Sequence, residues 1–251
     1  MPTVKVNDIE MYYEVHGHGE PMVLIAGLGT DTTAYRRIIN PLSQKHTVLA
    51  FDNRGVGRTD KPRTPYTIEM MADDTAGLLK ALAIMRVNVI GISMGGRIAL
   101  ALALQHPEAV KSLILVSTSA RVVQGTRKTL RFRFFKLVKR LRSGTRFLGR
   151  NTQPYYAFIR QLEASGSYDC SDRLGGIAVP TLILHGRKDR LAPYALAEEM
   201  QAGIRGSRMV TFDGGHLFLF WESGKFADAV TEFLDGVAPS PENGPQQEKQ
   251  I

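Results

Sequence analysis

The sequence has little cysteine, no long hydrophobic run and, over one long stretch, no acidic residue. Cys170 is the one cysteine among 251 residues, so no disulfide can form within the chain and a reducing compartment is expected. No run reaches the roughly 18 apolar residues that a membrane-spanning helix needs. Residues 1–21 alternate polar and apolar side chains and hold no apolar core of a signal peptide, so they indicate strands. We therefore expect a soluble, cytoplasmic protein.

The stretch without acidic residues accounts for the positive charge of the chain. Thirteen Lys or Arg and neither Asp nor Glu lie between Ala109 and Leu162, whereas the whole chain has 32 basic and 24 acidic residues. The formal net charge of +8 therefore belongs to one segment, and the remainder of the chain is net acidic. Because no motif that reads DNA or RNA accompanies this charge, we expect no nucleic-acid partner.

Short apolar runs alternate with helix-length periodic stretches along most of the chain. Apolar runs separated by helices indicate strands that are buried on both faces, and therefore a mostly parallel sheet. The predicted fold class is α/β, with helices on both faces of a twisted sheet, and the length suits one core. The runs are Met22–Ala26, Thr47–Phe51, Val87–Ile92, Ser112–Val116, Thr181–His185 and Arg208–Phe212.

The alternation breaks after Val116 and resumes near residue 176. Within the break, residues 127–142 (RKTLRFRFFKLVKRLR) hold apolar side chains at three- and four-residue spacing, which is typical of an amphipathic helix. A second helix is predicted over residues 154–164. The predicted organisation is one core of residues 1–120 and 176–236, an inserted helical lid at 121–175, and a disordered tail at 237–251 that is rich in Pro, Gln and charge.

The six residues GISMGG, Gly91–Gly96, follow a predicted strand and precede a helical pattern. A strand, then G-x-S-x-G, then a helix is the pattern of a nucleophile elbow. In such an elbow the turn is so sharp that the serine takes a strained backbone conformation, and the glycines beside it avoid collisions. We therefore predict that Ser93 is a nucleophile whose hydroxyl stands at the start of a helix.

At this point the chain resembles the α/β-hydrolase fold family, over residues 1–236 apart from the insertion. The family's catalytic residues follow one another along the chain as Ser, then Asp or Glu, then His. The resemblance implies that Asp189, in TLILHGRKDRLAP, and His216, in FDGGHLFLF, form a triad with Ser93. The imidazole takes the serine proton, and the carboxylate orients the imidazole. Asp213, three residues before His216, is an alternative acid.

Other polar residues near the predicted site are interpreted as supporting it. FDNRGVGRTDKP resembles a glycine-rich signature of the family, and we interpret Asp52 and Arg54 as structural, since an ion pair inside such a turn shapes the loop. Phosphate binding is the alternative. His185 ends a predicted strand and is expected to border the site. The remaining histidines are interpreted as solvated or locally hydrogen-bonded: His16, His18, His46 and His106.

The resemblance also implies an oxyanion hole and a substrate pocket. Two backbone N–H groups must face the oxygen that becomes negative, and the expected donors are Met94, directly after the nucleophile, and Leu28 in LIAGLGT. Many relatives have His-Gly where this chain has Ala26-Gly27, a departure of little weight because the donors are main-chain groups. The residues expected to line the pocket are Gly27, Phe134, Leu137 and Leu217.

The expected function is that of a serine hydrolase that cleaves a small or medium, mainly apolar carboxylic ester through an acyl-enzyme. No Walker sequence, dinucleotide fingerprint or metal-ligand motif occurs, so we expect no cofactor and no metal. Enol-lactonases, C–C bond hydrolases and cofactor-free haloperoxidases or perhydrolases share this triad and are alternatives. A non-catalytic binding protein of the same fold is the alternative from another class.

The basic stretch lies where α/β hydrolases insert their lid. We expect its apolar stripe to cover the active site and its cations to face water, so that the partner is a small-molecule ester. Weak association with an anionic membrane surface is the alternative, because a basic amphipathic helix is typical of proteins that lie on such surfaces.

Replacing Arg131, Arg133, Lys136 and Lys139 by Gln separates these two roles. For a lid, turnover of a neutral soluble ester should change less than about threefold, since exposed cations more than about 10 Å apart are largely screened at roughly 0.1 M salt. For a membrane-binding helix, the unaltered protein should sediment with anionic vesicles at low salt but not at high salt, and the Gln variant should not sediment. No binding at low salt removes the membrane alternative, and a collapse of ester turnover in the variant contradicts the lid prediction.

Overall fold

An eight-stranded sheet forms the centre of the structure, a computed structural model that describes residues 2–122, 149–151 and 153–237. The strands are β1 Thr3–Val6, β2 Ile9–His16, β3 Glu20–Ile25, β4 His46–Phe51, β5 Val87–Ile92, β6 Val110–Val116, β7 Thr181–Gly186 and β8 Arg208–Phe212. Each apolar run predicted as a strand is a strand, and the alternating N-terminal segment supplies β1 and β2. The alternation on which the fold prediction rests is thereby confirmed.

The order of the strands makes the sheet mostly parallel. The order is β1-β2-β4-β3-β5-β6-β7-β8, in which β2 pairs antiparallel with β1 and β4 and every later pair is parallel. The carboxyl ends of the parallel strands therefore lie at one edge of the sheet. In open α/β sheets this edge is where ligands bind. The predicted mostly parallel α/β architecture is confirmed.

Helices cover both faces of the sheet. They are α1 Arg36–Leu42, α2 Ile68–Ala81, α3 Met94–Gln105, α4 Tyr155–Ser167, α5 Tyr194–Gly203, α6 Phe218–Trp221 and α7 Ser223–Asp235. Along β3, Val23 and Ile25 pack in the core shared with α2 and α3, whereas Met22 and Leu24 pack in the core shared with α1 and α7. Apolar residues on both faces are what a central parallel strand requires. Among the described helices, none has the length and apolar character needed to cross a membrane.

Helix α4 lies within the predicted insertion, where the sequence predicts a helix over residues 154–164. It is fixed to the loop between β4 and α2. The Tyr156 hydroxyl donates to the carbonyl oxygen of Lys61 at 2.7 Å, and the Arg160 guanidinium donates to that of Pro62 at 3.1 Å. The end of the insertion is thus packed beside the carboxyl edge of the sheet.

Two parts of the predicted organisation fall outside the described residues. The basic stretch, with Phe134 and Leu137, belongs to residues 123–148, and nearly all of the predicted tail belongs to residues 238–251. The lid over the site and the tail therefore stay predictions, and so does the assignment of these two side chains to the pocket.

Two sets of ion pairs fix the glycine-rich loop after β4. Arg54 is almost fully buried and bonds Asp74 at 2.7 Å and Asp8 at 2.6 Å. Asp52 bonds Arg58, at 3.1 Å between Oδ2 and Nε. The ion pair inside the loop thus joins Asp52 to Arg58, whereas Arg54 reaches out of the loop to α2 and to the turn between β1 and β2. The loop is tied to its neighbours by charge as well as by packing.

The buried Arg54 pair predicts a large effect on stability. Arg54→Met removes the cation that pairs with Asp74, whose side chain is 2% exposed. The Asn7 amide, which donates to Asp74 at 3.0 Å, carries no charge, so the buried carboxylate is left without its ion pair. We expect the free energy of unfolding to fall by about 3–5 kcal/mol, as when other buried pairs are broken. Arg208→Met is the matched control, because its pair with Glu232 is exposed and should contribute less than about 1 kcal/mol. Urea unfolding measures both, and equal effects of the two variants would contradict this role for Arg54.

Candidate active site

The serine of GISMGG lies at a one-residue turn between β5 and α3. Ser93 has φ 56° and ψ −115°, a strained conformation for a residue with a side chain. Its N–H donates to the carbonyl oxygen of Val116 at 2.9 Å, and its own carbonyl oxygen accepts the Thr118 hydroxyl at 2.7 Å. Such strain persists only where the surroundings enforce it, and it is concentrated at active sites.

Close packing around this turn requires glycine at two positions. A Cβ at Gly95 would collide with the carbonyl oxygen of Ile25, and a Cβ at Gly91 would lie only 2.5 Å from the carbonyl oxygen of Gly95. The first turn of α3 therefore rests directly on the backbone of β3. This contact makes the change from strand to helix possible within a single residue.

The imidazole of His216 lies between Ser93 and Asp189. Its Nε2 is 3.0 Å from the Ser93 Oγ, and its Nδ1 is 2.8 Å from the Asp189 Oδ2. The three side chains come from the loops that follow β5, β7 and β8, all at the carboxyl edge of the sheet. The structure thus brings the three residues singled out in the sequence into one hydrogen-bonded chain.

The carboxylate of Asp189 has no exposed surface. Its Oδ1 accepts the N–H groups of Leu191 and Ala192 at 2.8 and 2.9 Å, and its Oδ2 faces His216. These bonds offset the cost of removing a charge from water. Because an ionised carboxylate only accepts hydrogen bonds, the Nδ1 of His216 carries the proton and its Nε2 presents a lone pair to Ser93.

A second imidazole, that of His185, packs behind the carboxylate of Asp189. Its Nε2 is 2.8 Å from the carbonyl oxygen of Ala192 and 3.5 Å from the Asp189 Oδ2, and its side chain is completely buried. A carbonyl oxygen only accepts, so this Nε2 carries the proton. Burial lowers the pKa of His185, which favours the neutral ring. His185 borders the candidate site, as the sequence predicts, but from its buried side.

The loops that carry Asp189 and His216 contact each other. The N–H of Lys188 donates to the carbonyl oxygen of Gly214 at 2.9 Å. Asp213, the alternative acid, points out of this contact: its side chain is 82% exposed and pairs with Lys188 at 3.1 Å. The carboxylate that faces His216 is therefore that of Asp189.

The loop after β3 forms a tight turn beside Ser93. The carbonyl oxygen of Gly27 accepts the N–H of Thr30 at 3.3 Å, and Gly29 at the third position of this turn has φ 67°. A Cβ on Gly27 would lie 3.5 Å from the Cβ of Ser93, so the turn lies directly against the candidate nucleophile. The structure thus places Gly27 beside Ser93, and its role in a pocket stays a prediction.

One N–H group of this turn, that of Leu28, has no acceptor within the part of the chain that the structure describes. Each of the other three has one: Gly27 the Tyr35 hydroxyl at 2.8 Å, Gly29 the Gln161 Oε1 at 3.0 Å and Thr30 the Gly27 carbonyl oxygen. Met94 begins α3, where N–H groups lack intrahelical partners. The N–H groups of Leu28 and Met94 are therefore available beside Ser93, as an oxyanion hole requires.

Other residues considered in the sequence have varied surroundings. Leu217, next to His216 in the chain, is 42% exposed, and its place in a pocket stays a prediction. The interpretation of His46 as solvated or locally hydrogen-bonded is wrong, because this first residue of β4 is buried in the sheet and neither ring nitrogen has a partner among the described residues. His16 and His106 do have local partners, Glu14 and Asp73 respectively.

The described residues contain no cluster of side chains that is typical of a metal site. No group of three or more His, Cys, Asp or Glu residues that could hold a metal ion occurs there. Cys170 is buried, and burial raises the pKa of its thiol, so a reactive thiolate is disfavoured.

Three side chains beside the site have no signal in the sequence. Thr30 and Tyr35 bond the peptide groups of Gly27, and Gln161 bonds the N–H of Gly29. Gln161 comes from α4 and is separated from Gly29 by 132 positions, a contact that no local pattern indicates. For Thr30 and Tyr35 the sequence shows only polar residues soon after a glycine-rich turn, which does not indicate the bonds that they form.

Comparison with known protein families identifies the fold. Residues 20–154, more than half of the chain, match the family model described as alpha/beta hydrolase fold, and residues 161–243 match the model described as TAP-like protein. The chain belongs to the α/β-hydrolase fold family. The resemblance inferred from GISMGG and the sequence around it is confirmed, and the general activity is that of a hydrolase.

Similar proteins of this family include hydrolases of several kinds. RutD of Azorhizobium caulinodans, provisionally named a carbamate hydrolase, is 31% identical over 94% of this chain and 97% of its own. An enol-lactonase of Burkholderia xenovorans has 29% identity and a TM-score of 0.81, over 93% of this chain and 100% of its own. An esterase of Thermogutta terrifontis has 27% identity and a TM-score of 0.82, over 95% of this chain and 100% of its own.

Proposed function

We propose that this α/β hydrolase is a serine carboxylesterase, which cleaves small or medium, mainly apolar esters through a triad of Ser93, His216 and Asp189. The observation that carries the proposal is the chain of hydrogen bonds, 3.0 Å from Ser93 to His216 and 2.8 Å from His216 to Asp189. A serine hydroxyl is a weak nucleophile near neutral pH unless a base takes its proton. Here His216 is the base, and the carboxylate of Asp189 orients it.

In the first half of the reaction, the Ser93 Oγ attacks the ester carbonyl carbon while its proton passes to the Nε2 of His216. The imidazolium is stabilised by the carboxylate of Asp189, which already accepts the Nδ1 proton. Collapse of the tetrahedral intermediate breaks the bond to the alcohol, and His216 gives that alcohol its proton. In the second half, water attacks the acyl-enzyme with the same imidazole as base, which releases the acid and restores Ser93.

The oxygen that becomes negative in both halves lies, in this proposal, between the N–H groups of Leu28 and Met94. Both are main-chain donors with no other acceptor in the described structure, and both lie beside Ser93. Donors that are already oriented need not reorganise when the charge forms, which is why such groups accelerate acyl transfer. The electrostatic part of catalysis is therefore assigned to backbone groups.

Two exposed leucines near the triad support a mainly apolar ester. Leu191, two residues after the acid, is 54% exposed, and Leu217, directly after the histidine, is 42% exposed. Exposed leucines next to catalytic side chains offer apolar contact to an acyl or alcohol group. The likeness to an esterase supports the same substrate class.

A lactone is the second candidate substrate, favoured by the likeness to an enol-lactonase. A lactone is an ester closed into a ring, so the same steps open it, but the alcohol part stays attached to the acyl-enzyme. A panel of p-nitrophenyl esters of increasing acyl length, with an enol-lactone and an aryl carbamate beside it, separates these classes by kcat/KM. For a carboxylesterase, the highest kcat/KM should fall among the esters.

Ser93→Ala tests the nucleophile. Ester turnover should fall by about 10⁴- to 10⁶-fold, because the hydroxyl that bonds His216 in the described structure is that of Ser93. A fluorophosphonate probe, which reacts with activated serines, should label the unaltered protein and not the variant, and the unfolding curves of the two should agree. Labelling of both proteins at equal rates would contradict the assignment, and an unlabelled, inactive wild type would favour a binding protein of the same fold.

The choice between the two acids is tested by a matched pair of variants. Asp189→Asn should lower kcat by about 10³- to 10⁴-fold, since an amide in place of the carboxylate no longer holds the proton on Nδ1 of His216. Asp213→Asn makes the same change in an exposed side chain that bonds Lys188, and kcat should change less than about twofold. Steady-state kinetics on one p-nitrophenyl ester measure both, and a larger loss in Asp213→Asn would reverse the assignment.

A further inference from the structure

We infer that Thr30 and Tyr35 are positioning residues, whose hydroxyls hold the Leu28 N–H in the direction that an oxyanion requires. The inference rests on the proposed ester hydrolysis at Ser93. Both hydroxyls join the two peptide groups of Gly27 in a closed ring of hydrogen bonds. Their effect on the reaction is exerted through the turn that carries Leu28.

The donor and the acceptor can be assigned at each step of this ring. The N–H of Gly27 only donates, and its acceptor is the Tyr35 Oη at 2.8 Å. The carbonyl oxygen of Gly27 only accepts, and it takes the Thr30 hydroxyl hydrogen at 2.8 Å. The contact of 2.9 Å between the hydroxyls must then be donated by Tyr35, because the Thr30 hydrogen is already used. The ring runs in one direction and leaves no hydroxyl hydrogen unpaired.

The ring is enclosed by the protein. Thr30 and Tyr35 are each only 3% exposed, so water does not compete for these hydrogen bonds. Burial raises the pKa of the Tyr35 hydroxyl, which therefore keeps its proton. Hydrogen bonds in such surroundings are electrostatically stronger than in water, and a chain of them is mutually reinforcing.

The geometry of the peptide group links this ring to Leu28. No cis peptide occurs among the described residues, so the Gly27–Leu28 peptide is trans. In a planar trans peptide the C=O and the N–H point in opposite directions. Holding the Gly27 oxygen towards Thr30 therefore holds the Leu28 N–H in the opposite direction within the same peptide plane. The bond from Gly29 to Gln161 fixes the following peptide, so the turn cannot rotate without breaking hydrogen bonds on both sides.

The expected loss on breaking the ring is partial. Without the Thr30 hydroxyl, the Gly27 oxygen keeps the backbone N–H of Thr30 as a partner at 3.3 Å. Removal of a whole oxyanion donor lowers kcat by about 10²- to 10³-fold, and a donor that is present but loosely oriented should cost less, about 10- to 100-fold. The substrate binds before the oxygen that faces the Leu28 N–H becomes negative, so KM should change little.

The test compares kcat and KM of the full-length protein on one p-nitrophenyl ester. Thr30→Val and Tyr35→Phe remove a hydroxyl and keep the shape, so each should lower kcat by about 10- to 100-fold with KM within about threefold. Thr30→Ser keeps the hydroxyl and should recover most of the activity. Thr75→Val is the matched control, because this buried threonine also donates to a carbonyl oxygen at 2.8 Å, that of Met71 on α2, and its loss should leave kcat unchanged.

A transition-state analogue gives a readout that a purely structural role would not change. A trifluoromethyl ketone forms a tetrahedral adduct on the serine that carries an oxyanion. Its inhibition constant should rise in Thr30→Val and Tyr35→Phe in parallel with the loss of kcat/KM, whereas in the control Thr75→Val it should be unchanged. In the double variant, kcat/KM should be no more than about threefold below that of the less active single variant, because both changes break the same ring.

Unaltered kcat and unaltered analogue binding in Thr30→Val and Tyr35→Phe, in a protein that does hydrolyse esters, would overturn the inference and leave the proposed function intact. If Thr30→Val does not fold, Tyr35→Phe decides the question by the same two measurements. Absence of both ester turnover and probe labelling in the unaltered protein would overturn the proposed function, and the inference with it.

Discussion

The change from strand to helix within one residue, at Ser93, is the constraint on which the site depends. The strained backbone is possible because Gly95 lets α3 begin directly on β3, and because Val116 and Thr118 hold the N–H and the carbonyl oxygen of Ser93. The same packing brings the turn at Gly27 against the serine and leaves the first N–H of α3 beside it. Strain at one residue is thus maintained by bonds and contacts from the adjacent strands β3 and β6, as is typical of strained catalytic residues.

In the proposed mechanism, the charges around the site are arranged to stabilise an imidazolium before the reaction begins. Asp189 is buried, and two backbone N–H groups and His216 bond to its carboxylate. His185 packs against the same carboxylate, and its burial favours the neutral ring, so it adds no competing positive charge. In the proposed reaction, a cation that forms on His216 meets the carboxylate at 2.8 Å, and the attraction is stronger in the transition state than before the proton is transferred.

Local patterns in the sequence predict most of the fold and the centre of the site. The strands follow from apolar runs, the turn and its serine follow from GISMGG, and the acid and the histidine follow from the order of residues in the family. The hydroxyl of Tyr35 and the amide of Gln161 cannot be found in this way, because their roles depend on donors and acceptors that meet only in the folded chain, 132 positions apart for Gln161 and Gly29. The burial of His46 is missed for a related reason, since its place at the start of a strand does not reveal that its ring is buried in the folded chain.

The central claim is that Ser93 carries the acyl group between the two halves of the reaction. Mass spectrometry of enzyme quenched in acid during turnover of a p-nitrophenyl ester tests it most directly. The account predicts a mass increase equal to one acyl group, located by digestion to the peptide that contains Ser93, together with a burst of p-nitrophenol of one equivalent per active site. Steady turnover with the acyl group on another residue, or a burst without any adduct on Ser93, would contradict it.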